Sequence, residues 1–282
     1  NIDQQKKILK DLKVITKKRK NFIKNIDFSK HLIMGILNLT PDSFSDGGKF
    51  NNKRKSLQHV NEMIKSGADI IDVGGESTRP GSKEIDPKKE WLRIKNVVQI
   101  FKKKYKKQTL SLDTRKSDLM VTGVKYGVDL INDVSGFNYD KDSLNKLKNY
   151  RVAKVLHHMQ GNPNTMQIKP IYNNVLLDIY DFFEKKIKYI RSKGIGHNNI
   201  ILDPGIGFGK NLKHNITLLR NISIFHSLGF PVMLGTSRKR FIKYLSGTND
   251  SKERLGGTIS SSLFAMMQGV QILRVHDVNE VN

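Results

Sequence analysis

The chain has 282 residues, the length of one large α/β domain, and hydrophobic residues make up 37% of it and charged residues 27%. No apolar run approaches the roughly 18 residues that a membrane-spanning helix needs, and the absence of cysteine excludes disulfides, thiolate metal sites and cysteine nucleophiles. The lysine-rich N-terminal segment lacks the apolar stretch of a signal peptide, which predicts a cytoplasmic location and no membrane partner.

The formal charge of +24 makes nucleic acid the first partner to consider. Of the 50 basic residues only 12 are arginine, and the 38 lysines are scattered over predicted helices and loops instead of interleaving with aromatic residues on one face. This distribution disfavours nucleic acid and indicates attraction of small anionic substrates. A basic RNA-binding protein is the alternative from another class, and tight, salt-sensitive filter binding of RNA would favour it.

Short apolar runs alternate with longer amphipathic stretches after a basic, helix-period segment at the N-terminus. This alternation is typical of repeated βα units. It divides the chain into a basic extension of residues 1–30 and a catalytic domain of residues 31–282. The predicted strands are Leu32–Leu39, Ile70–Val73, Leu110–Leu112, Leu130–Ile131, Val152–Leu156, Ile200–Leu202, Val232–Leu234 and Ile272–Val275.

Eight strands are what a closed (β/α)8 barrel of the TIM type requires, and an open doubly wound sheet is the alternative. The chain stops at Asn282, seven residues after the last predicted strand, so we expect a truncated or absent eighth helix. Either another element such as the N-terminal segment closes the barrel, or the chain is a piece of a longer one. The predicted helices are Lys53–Ser66, Pro87–Lys104, Ser117–Tyr126, Val175–Lys193, Leu212–Ser227 and Arg254–Gln268.

Polar residues follow nearly all of the predicted strands, at the end where a parallel barrel builds its chemistry. A single strand-end aspartate commonly caps the next helix, but the repetition over most strands favours one shared cavity. Buried carboxylates and amides need hydrogen-bond partners, and a nitrogen-rich heterocycle would supply them. These residues are Asn38, Asp72, Asp113, Asn132, Asp133, His157, His158, Asp203, Ser237 to Lys239, Arg274 and His276.

Two loops after the first and second strands are dense in Gly, Pro, Ser, Thr and Asp: GILNLTPDSFSDGG (Gly35 to Gly48) and GGESTRPG (Gly74 to Gly81). We expect them to close over the barrel mouth and exclude water. The segment DPGIGFGK matches neither a P-loop nor a dinucleotide fingerprint, and we interpret it as a tight turn that lets Asp203 face the cavity. The cations expected at the mouth, which suit an anionic substrate, are Arg79, Lys239, Arg274 and His276.

Eight segments between Gly35 and Val278 together resemble the dihydropteroate synthase family, in the family's order: GILNLTPDSFSDGG, DVGGESTRPGS, LSLDT, INDVSGF, HHMQGNPNTMQ, ILDPGIGFGK, GTSRK and ILRVHDV. The resemblance implies a (β/α)8 barrel, usually a homodimer. It implies condensation of 6-hydroxymethyl-7,8-dihydropterin diphosphate with p-aminobenzoate to 7,8-dihydropteroate and pyrophosphate in folate synthesis, with Mg2+ as cofactor.

The resemblance also implies roles for residues that match the family's motifs. The pterin ring would bind Asp113, Asn132, Asp203 and Lys239. The diphosphate would bind Arg274, Val275 and His276, with Thr78 from the second loop. The family's magnesium position falls on Asn38, with Asp46 as a further ligand. The p-aminobenzoate residues would be Phe44, Arg79, Pro80, Phe208, Ser237 and Arg240, and the catalytic set Asn38, Asp113, Asp203, Lys239 and Arg274.

The mechanism implied is loss of pyrophosphate, assisted by Mg2+ and cationic side chains, followed by attack of the aromatic amine on a pterin carbocation. No general base is required, because a neutral aromatic amine already has a free lone pair. Asp113 and Asp203 would stabilise the positive charge that develops on the ring.

The chain departs from the family pattern at two points. Arg240 follows Lys239 where many members have Ser, so the contact with the p-aminobenzoate carboxylate differs, although a helix N-terminus still binds an anion. The C-terminal family helix, which contributes to the dimer face, is missing.

The nearest rival function is a folate-dependent methyltransferase on the same barrel, which would not need the GTSRK and RVH segments. A sulfonamide-insensitive variant would alter the second loop, and GGESTRPG is of the ordinary type.

Overall fold

The computed structural model of the protein describes residues 2–16, 22–23, 26–40, 49–77, 82, 84–162, 165–166 and 168–282. A pair of two-residue strands precedes the eight strands that follow the predicted apolar runs. In chain order the strands are β1 (Phe22–Ile23), β2 (Ile26–Asp27), β3 (Leu32–Asn38), β4 (Ile70–Gly74), β5 (Thr109–Asp113), β6 (Leu130–Asp133), β7 (Ala153–His157), β8 (Ile200–Asp203), β9 (Met233–Leu234) and β10 (Ile272–Val275).

Strands β3 to β10 form one parallel sheet in the order β8-β7-β6-β5-β4-β3-β10-β9. A parallel bridge joins Leu202 of β8 to Val232, directly before β9, and Leu202 N donates to Pro231 O at 2.9 Å. This bridge brings the two ends of the sheet together into a nearly closed barrel. The predicted (β/α)8 barrel is confirmed, and it closes through its own strands instead of the N-terminal segment.

Helices alternate with the barrel strands. The six predicted helices are present, but the one predicted over Leu212–Ser227 breaks at Asn221, and Ile222–Leu228 continues as 3₁₀ turns. The sequence did not predict two short helices of five and seven residues. The helices are α1 (Ile2–Thr16), α2 (Lys49–Lys65), α3 (Pro87–Lys104), α4 (Ser117–Lys125), α5 (Ser143–Leu147), α6 (Val175–Ser192), α7 (Leu212–Arg220), α8 (Arg240–Ser246), α9 (Leu255–Met267) and α10 (Val278–Val281).

Helix α3 illustrates how the outer layer forms. The Asp86 side chain accepts hydrogen bonds from Lys88 N at 2.8 Å and Lys89 N at 3.3 Å, and Pro87 occupies the first turn, where its missing N–H costs nothing. The apolar face of the helix then packs on the barrel through buried residues at helical spacing. They are Ile94, Val97, Val98 and Phe101.

Side chains alternate along each barrel strand, which separates two packing regions. On β4, Ile70 packs with the barrel interior, whereas Ile71 and Val73 join the large core between strands and helices. The lower half of the interior is apolar, so the polar strand ends all lie in the upper half, at the carboxyl ends. The interior apolar residues include Met34, Ile70, Leu130, Val155, Ile201 and Ile272.

The hairpin of β1 and β2 covers the lower opening of the barrel. Its antiparallel strands pair Ile23 with Ile26. Both side chains are buried and belong to the interior apolar cluster. The hairpin therefore packs with the barrel, and the division of the chain after residue 30 stays a prediction.

A buried ionic cluster lies between the barrel and α3 and is called the α3 cluster below. Glu76, just after β4, pairs with Arg115 at 2.7 Å and with Lys116 at 2.9 Å. Lys116 also pairs with Glu90 of α3 at 2.6 Å. Two acids thus balance two bases, and nearly all of their polar atoms find protein partners.

Among the described residues, no helix combines the length and the apolar character that crossing a bilayer requires.

Candidate active site

Predicted site residues from several strands meet in one small cavity at the carboxyl end of the barrel, called the cup below. The alternation of side chains explains why strand residues converge there, because each lies on the inward face at the end of its strand, whereas Phe208 and Lys239 come from the loops after β8 and β9. Residues that line the cup include Asn132, His157, Asp203, Phe208, Lys239 and Arg274.

Arg274 connects the cup to two further carboxylates. Its Nε donates to Asp72 Oδ2 at 2.7 Å, and its Nη2 donates to Asp113 Oδ2 at 2.9 Å. Asp113 therefore lies beside the other residues predicted to bind the pterin. We call Asp72, Asp113 and Arg274 the mouth cluster.

Asp72 was noted as a strand-end residue but given no role, and the structure places it at the centre of this network. Its carboxylate is 1% exposed. It accepts hydrogen bonds from Ser111 Oγ at 2.5 Å and from Asn132 Nδ2 at 3.0 Å, in addition to Arg274. Its position two residues after Ile70, on the inward face of β4, is the signal that could have identified it.

The mouth cluster carries one more carboxylate than cations. Burial, and then the negative charge of Asp72, raise the pKa of Asp113 to about 8, although Arg274 acts in the opposite direction. Asp113 is therefore mostly protonated near neutral pH, and a ligand that adds positive charge above it would favour the ionised form.

Asp203 is held by the turn that follows β8. Its Oδ1 accepts a hydrogen bond from Gly205 N at 2.8 Å. A Cβ at Gly205, whose φ is 70°, would lie 2.0 Å from His158 O, so only glycine fits there. The predicted tight turn is confirmed. Burial raises the pKa of Asp203 to about 6.

Lys239, Phe208 and His157 form one wall of the cup. Lys239 Nζ lies 4.0 Å from the centroid of the Phe208 ring, which packs edge-on against His157 at 4.6 Å. Burial, and then the charge of Arg274, lower the pKa of Lys239 to about 8. His157 Nδ1 lies 2.9 Å from Val134 O, so it carries the ring proton. Burial lowers the pKa of His157 well below its usual value, so its ring is neutral.

Lys210, the last residue of the DPGIGFGK segment, is not among the predicted site residues, and it supports this wall from behind. Its buried Nζ donates to Phe208 O at 2.9 Å and lies 3.0 Å from His158 Nδ1. Burial lowers the pKa of Lys210 to about 7. These contacts fix the backbone that carries Phe208.

Three other predicted residues lie at the rim or outside it. Ser237 Oγ accepts from His276 N at 3.1 Å and lies 3.0 Å from His276 Nδ1, so these two residues contact each other. Burial lowers the pKa of His276 to about 3. Arg240 is exposed on the first turn of α8.

Asn38 ends β3 beside Gly74 and is half-buried. It lies at the same end of the barrel as the cup but is not among the residues that line the cavity.

The side chain of Val275 belongs to the core between strands and helices, because Arg274 and His276 on either side of it face inward. A contact between Val275 and the diphosphate would therefore use its backbone, and its role stays a prediction. Five other predicted residues lie outside the described part of the chain: Phe44, Asp46, Thr78, Arg79 and Pro80.

The family model described as pterin binding enzyme matches residues 34–276, and this match, with the barrel and its cup, defines the class of the chain. The dihydropteroate synthase of Escherichia coli K12 is 41% identical over 256 residues, which cover 91% of this chain and 90% of the relative. The chain belongs to the dihydropteroate synthase family, and the methyltransferase and RNA-binding alternatives are set aside.

Solved structures agree with this placement. Yersinia pestis dihydropteroate synthase in a sulfonamide drug complex has a TM-score of 0.85 and 41% identity, covering 91% of this chain and 92% of that one. The Xanthomonas albilineans dihydropteroate synthase in complex with 7,8-dihydropteroate has a TM-score of 0.82 and 32% identity, covering 91% of each chain. Another structure of that enzyme, with 4-aminobenzoic acid, has a TM-score of 0.85 and 35% identity over the same shares.

Proposed function

We propose that the chain condenses 6-hydroxymethyl-7,8-dihydropterin diphosphate with p-aminobenzoate, giving 7,8-dihydropteroate and pyrophosphate, and that it works in the cytoplasm. The observation that carries the proposal is the meeting of Asn132, Asp203, Lys239 and Arg274 in one cup. The complexes of the relatives with 4-aminobenzoic acid and with 7,8-dihydropteroate support it.

The floor of the cup would bind the pterin ring. Gly205 N donates a hydrogen bond to Asp203 Oδ1. The other oxygen, Asp203 Oδ2, lies 4.0 Å from His157 Nε2, a distance too long for a hydrogen bond. Asp203 thus keeps acceptor capacity for a donor edge such as that of an aminopyrimidine. Lys239, over Phe208, would bind the acceptor atoms of the ring.

The rim would bind the diphosphate. Arg274 presents a planar guanidinium suited to phosphate oxygens, and Ser237 and His276 contact each other just after the neighbouring strands β9 and β10. Loss of pyrophosphate would leave positive charge on the ring, and the carboxylates of Asp113 and Asp203 would stabilise it until the aromatic amine attacks.

The donor set at the mouth fits a magnesium ion held mainly by substrate oxygens. Among the described residues, no group of three or more His, Asp or Glu is placed to hold a metal. Mg2+ commonly keeps waters and phosphate oxygens and takes one or two protein ligands. We propose Asn38 and Asp46 as those ligands. The bound ion would neutralise charge on the leaving group.

The p-aminobenzoate site would lie above the pterin ring. We propose that Phe44, Arg79 and Pro80 from the two loops, with Phe208 and Ser237, contact the aromatic ring and its carboxylate. Arg240 would assist at the first turn of α8.

We also propose a homodimer through an apolar face of α8 and α9. Leu263, Phe264 and Met267 of α9 are 50%, 43% and 78% exposed, and Tyr244 and Leu245 of α8 extend the surface. An exposed apolar patch of this kind is typical of an interface. Sedimentation should show a dimer that Leu263→Glu converts to a monomer. The control, Leu177→Glu on α6, should stay dimeric.

The deciding experiment is pyrophosphate release with both substrates, with and without Mg2+. We expect release that requires p-aminobenzoate and falls to background when the metal is chelated. Release without p-aminobenzoate, or no release with all components present, would contradict the proposed reaction.

A further inference from the structure

The amide of Asn132 has only one orientation that suits its surroundings. Its Nδ2 donates to Asp72 Oδ2 at 3.0 Å. The opposite orientation would set an amide oxygen against a buried carboxylate, and two acceptors repel each other. Asp72 therefore decides which end of this amide faces the cup.

The other end of that amide is an unsatisfied acceptor. Asn132 lines the cup and is 2% exposed. Its Oδ1 is buried and has no hydrogen-bond partner among the described residues. Leaving a buried acceptor unpaired costs free energy, which a ligand with a donor at this point would offset.

Asp72 is itself fixed from two sides. Ser111 Oγ donates to its Oδ1 at 2.5 Å, while Oδ2 accepts from both Asn132 and Arg274. The carboxylate is buried, so it cannot rotate without breaking these bonds. Through Oδ2 it joins the residue that would meet the ring to the residue that would meet the diphosphate.

We propose that Asp72 is a positioning and specificity-determining residue, which locks the Asn132 amide so that the cup presents an acceptor and selects a heterocycle with an N–H at that point. The proposal rests on the pterin site of the proposed function. Asp72 acts through Asn132 and does not touch the ring.

The test measures the affinity for the pterin ring separately from the affinity for the diphosphate anion. Calorimetry would measure binding of 6-hydroxymethyl-7,8-dihydropterin and, separately, of inorganic pyrophosphate. The variants are Asp72→Ala, Asp72→Asn and Ser111→Ala. Asp72→Asn is the conservative variant, because the amide that it introduces would keep an oxygen facing Asn132 and Arg274 while Ser111 turns to accept. Ser111→Ala removes the other partner of the same carboxylate and is the matched control.

We expect Asp72→Ala to weaken pterin binding about 10- to 50-fold, because the amide of Asn132 loses its orienting partner. Asp72→Asn and Ser111→Ala should stay within about threefold of the native enzyme. Pyrophosphate binding should not weaken in Asp72→Ala, since Arg274 loses one of its neutralising carboxylates. A merely structural role would instead lower both affinities together with the melting temperature.

The proposal is overturned if Asp72→Ala binds the pterin within twofold of the native enzyme, or if Asp72→Asn loses as much affinity as Asp72→Ala. If Asp72→Ala does not fold, Asp72→Leu replaces it, because leucine fills a similar space without hydrogen-bond acceptors. The same loss of pterin affinity is expected of that variant. A native enzyme that binds neither probe would refute the proposed function itself, independently of Asp72.

Discussion

The barrel carries two buried ionic clusters that differ in their charge balance. The α3 cluster balances two acids with two bases, and its charged groups bond to one another and to the backbone around Ile85. The mouth cluster has two carboxylates for one guanidinium, and beside it Asn132 keeps an unpaired acceptor. The charge-balanced cluster, in which Glu90 Oε1 is the unpaired atom, therefore holds α3 against the barrel, whereas the cluster with an excess carboxylate lies beside the unpaired acceptor of the cup.

The largest effect should come from breaking the α3 cluster. Glu76→Ala leaves Arg115 and Lys116 buried without their carboxylate, which should cost about 3–5 kcal/mol of unfolding free energy. Chemical denaturation would measure it. The control, Asp118→Ala, breaks the exposed pair with Lys146 and should cost less than about 1 kcal/mol. Equal losses of unfolding free energy in the two variants would contradict a stabilising role of the α3 cluster.

The next largest effect should come from Asp203→Asn, which should weaken pterin binding about 100-fold without unfolding the barrel. The NH2 group of the asparagine would face an N–H donor of the pterin, and two donors cannot form a hydrogen bond. Calorimetry and thermal melting would measure the two quantities.

Asp133→Asn is the control for that variant. Asp133 faces outward at the end of β6 and accepts from Ser135 N at 2.8 Å and Phe137 N at 3.1 Å, so its loss should lower stability and leave affinity unchanged. Unchanged pterin affinity in Asp203→Asn would refute its role.

Asn38→Ala should lower turnover about 30-fold and raise the magnesium concentration needed for half-maximal rate. Steady-state rates across a magnesium titration would measure both. Asn221→Ala, at the end of α7, is the control and should behave like the native enzyme. Normal activity of Asn38→Ala would rule out the metal position.

The smallest effect concerns pH. The pKa of Asp203 is raised to about 6 in the folded chain, so its protonated form is favoured by folding. This contribution to stability is present below the unfolded pKa and is lost as pH rises through about 6. Ligand donors need the ionised form, so pterin affinity should rise about tenfold from roughly pH 5 to pH 7 while the stability of the free enzyme falls. A slope that persists in Asp203→Asn would exclude this residue as its source.

The sequence predicted the barrel because its apolar runs and amphipathic stretches are long enough for the alternation of strands and helices to be recognised. The hairpin of β1 and β2 was not predicted, because strands of two residues are too short to show an alternation of apolar and polar residues. Asp72 was recognisable as a polar residue at a strand end, but its role depends on a contact with Arg274. The two residues are 202 positions apart, so only the folded structure reveals the pair. Period-two alternation also predicts that the Val275 side chain points away from the cup, opposite to those of its neighbours.

The hairpin of β1 and β2 packs on the apolar floor of the barrel, so within the described part of the chain the cup opens at the carboxyl ends of the strands. A substrate seated at the bottom must arrive before one that sits above it, and it cannot depart until the upper place is vacant. If the pterin occupies the lower place, p-aminobenzoate that enters alone would block the way. In that case we expect an ordered kinetic sequence, with inhibition by the second substrate at high concentration.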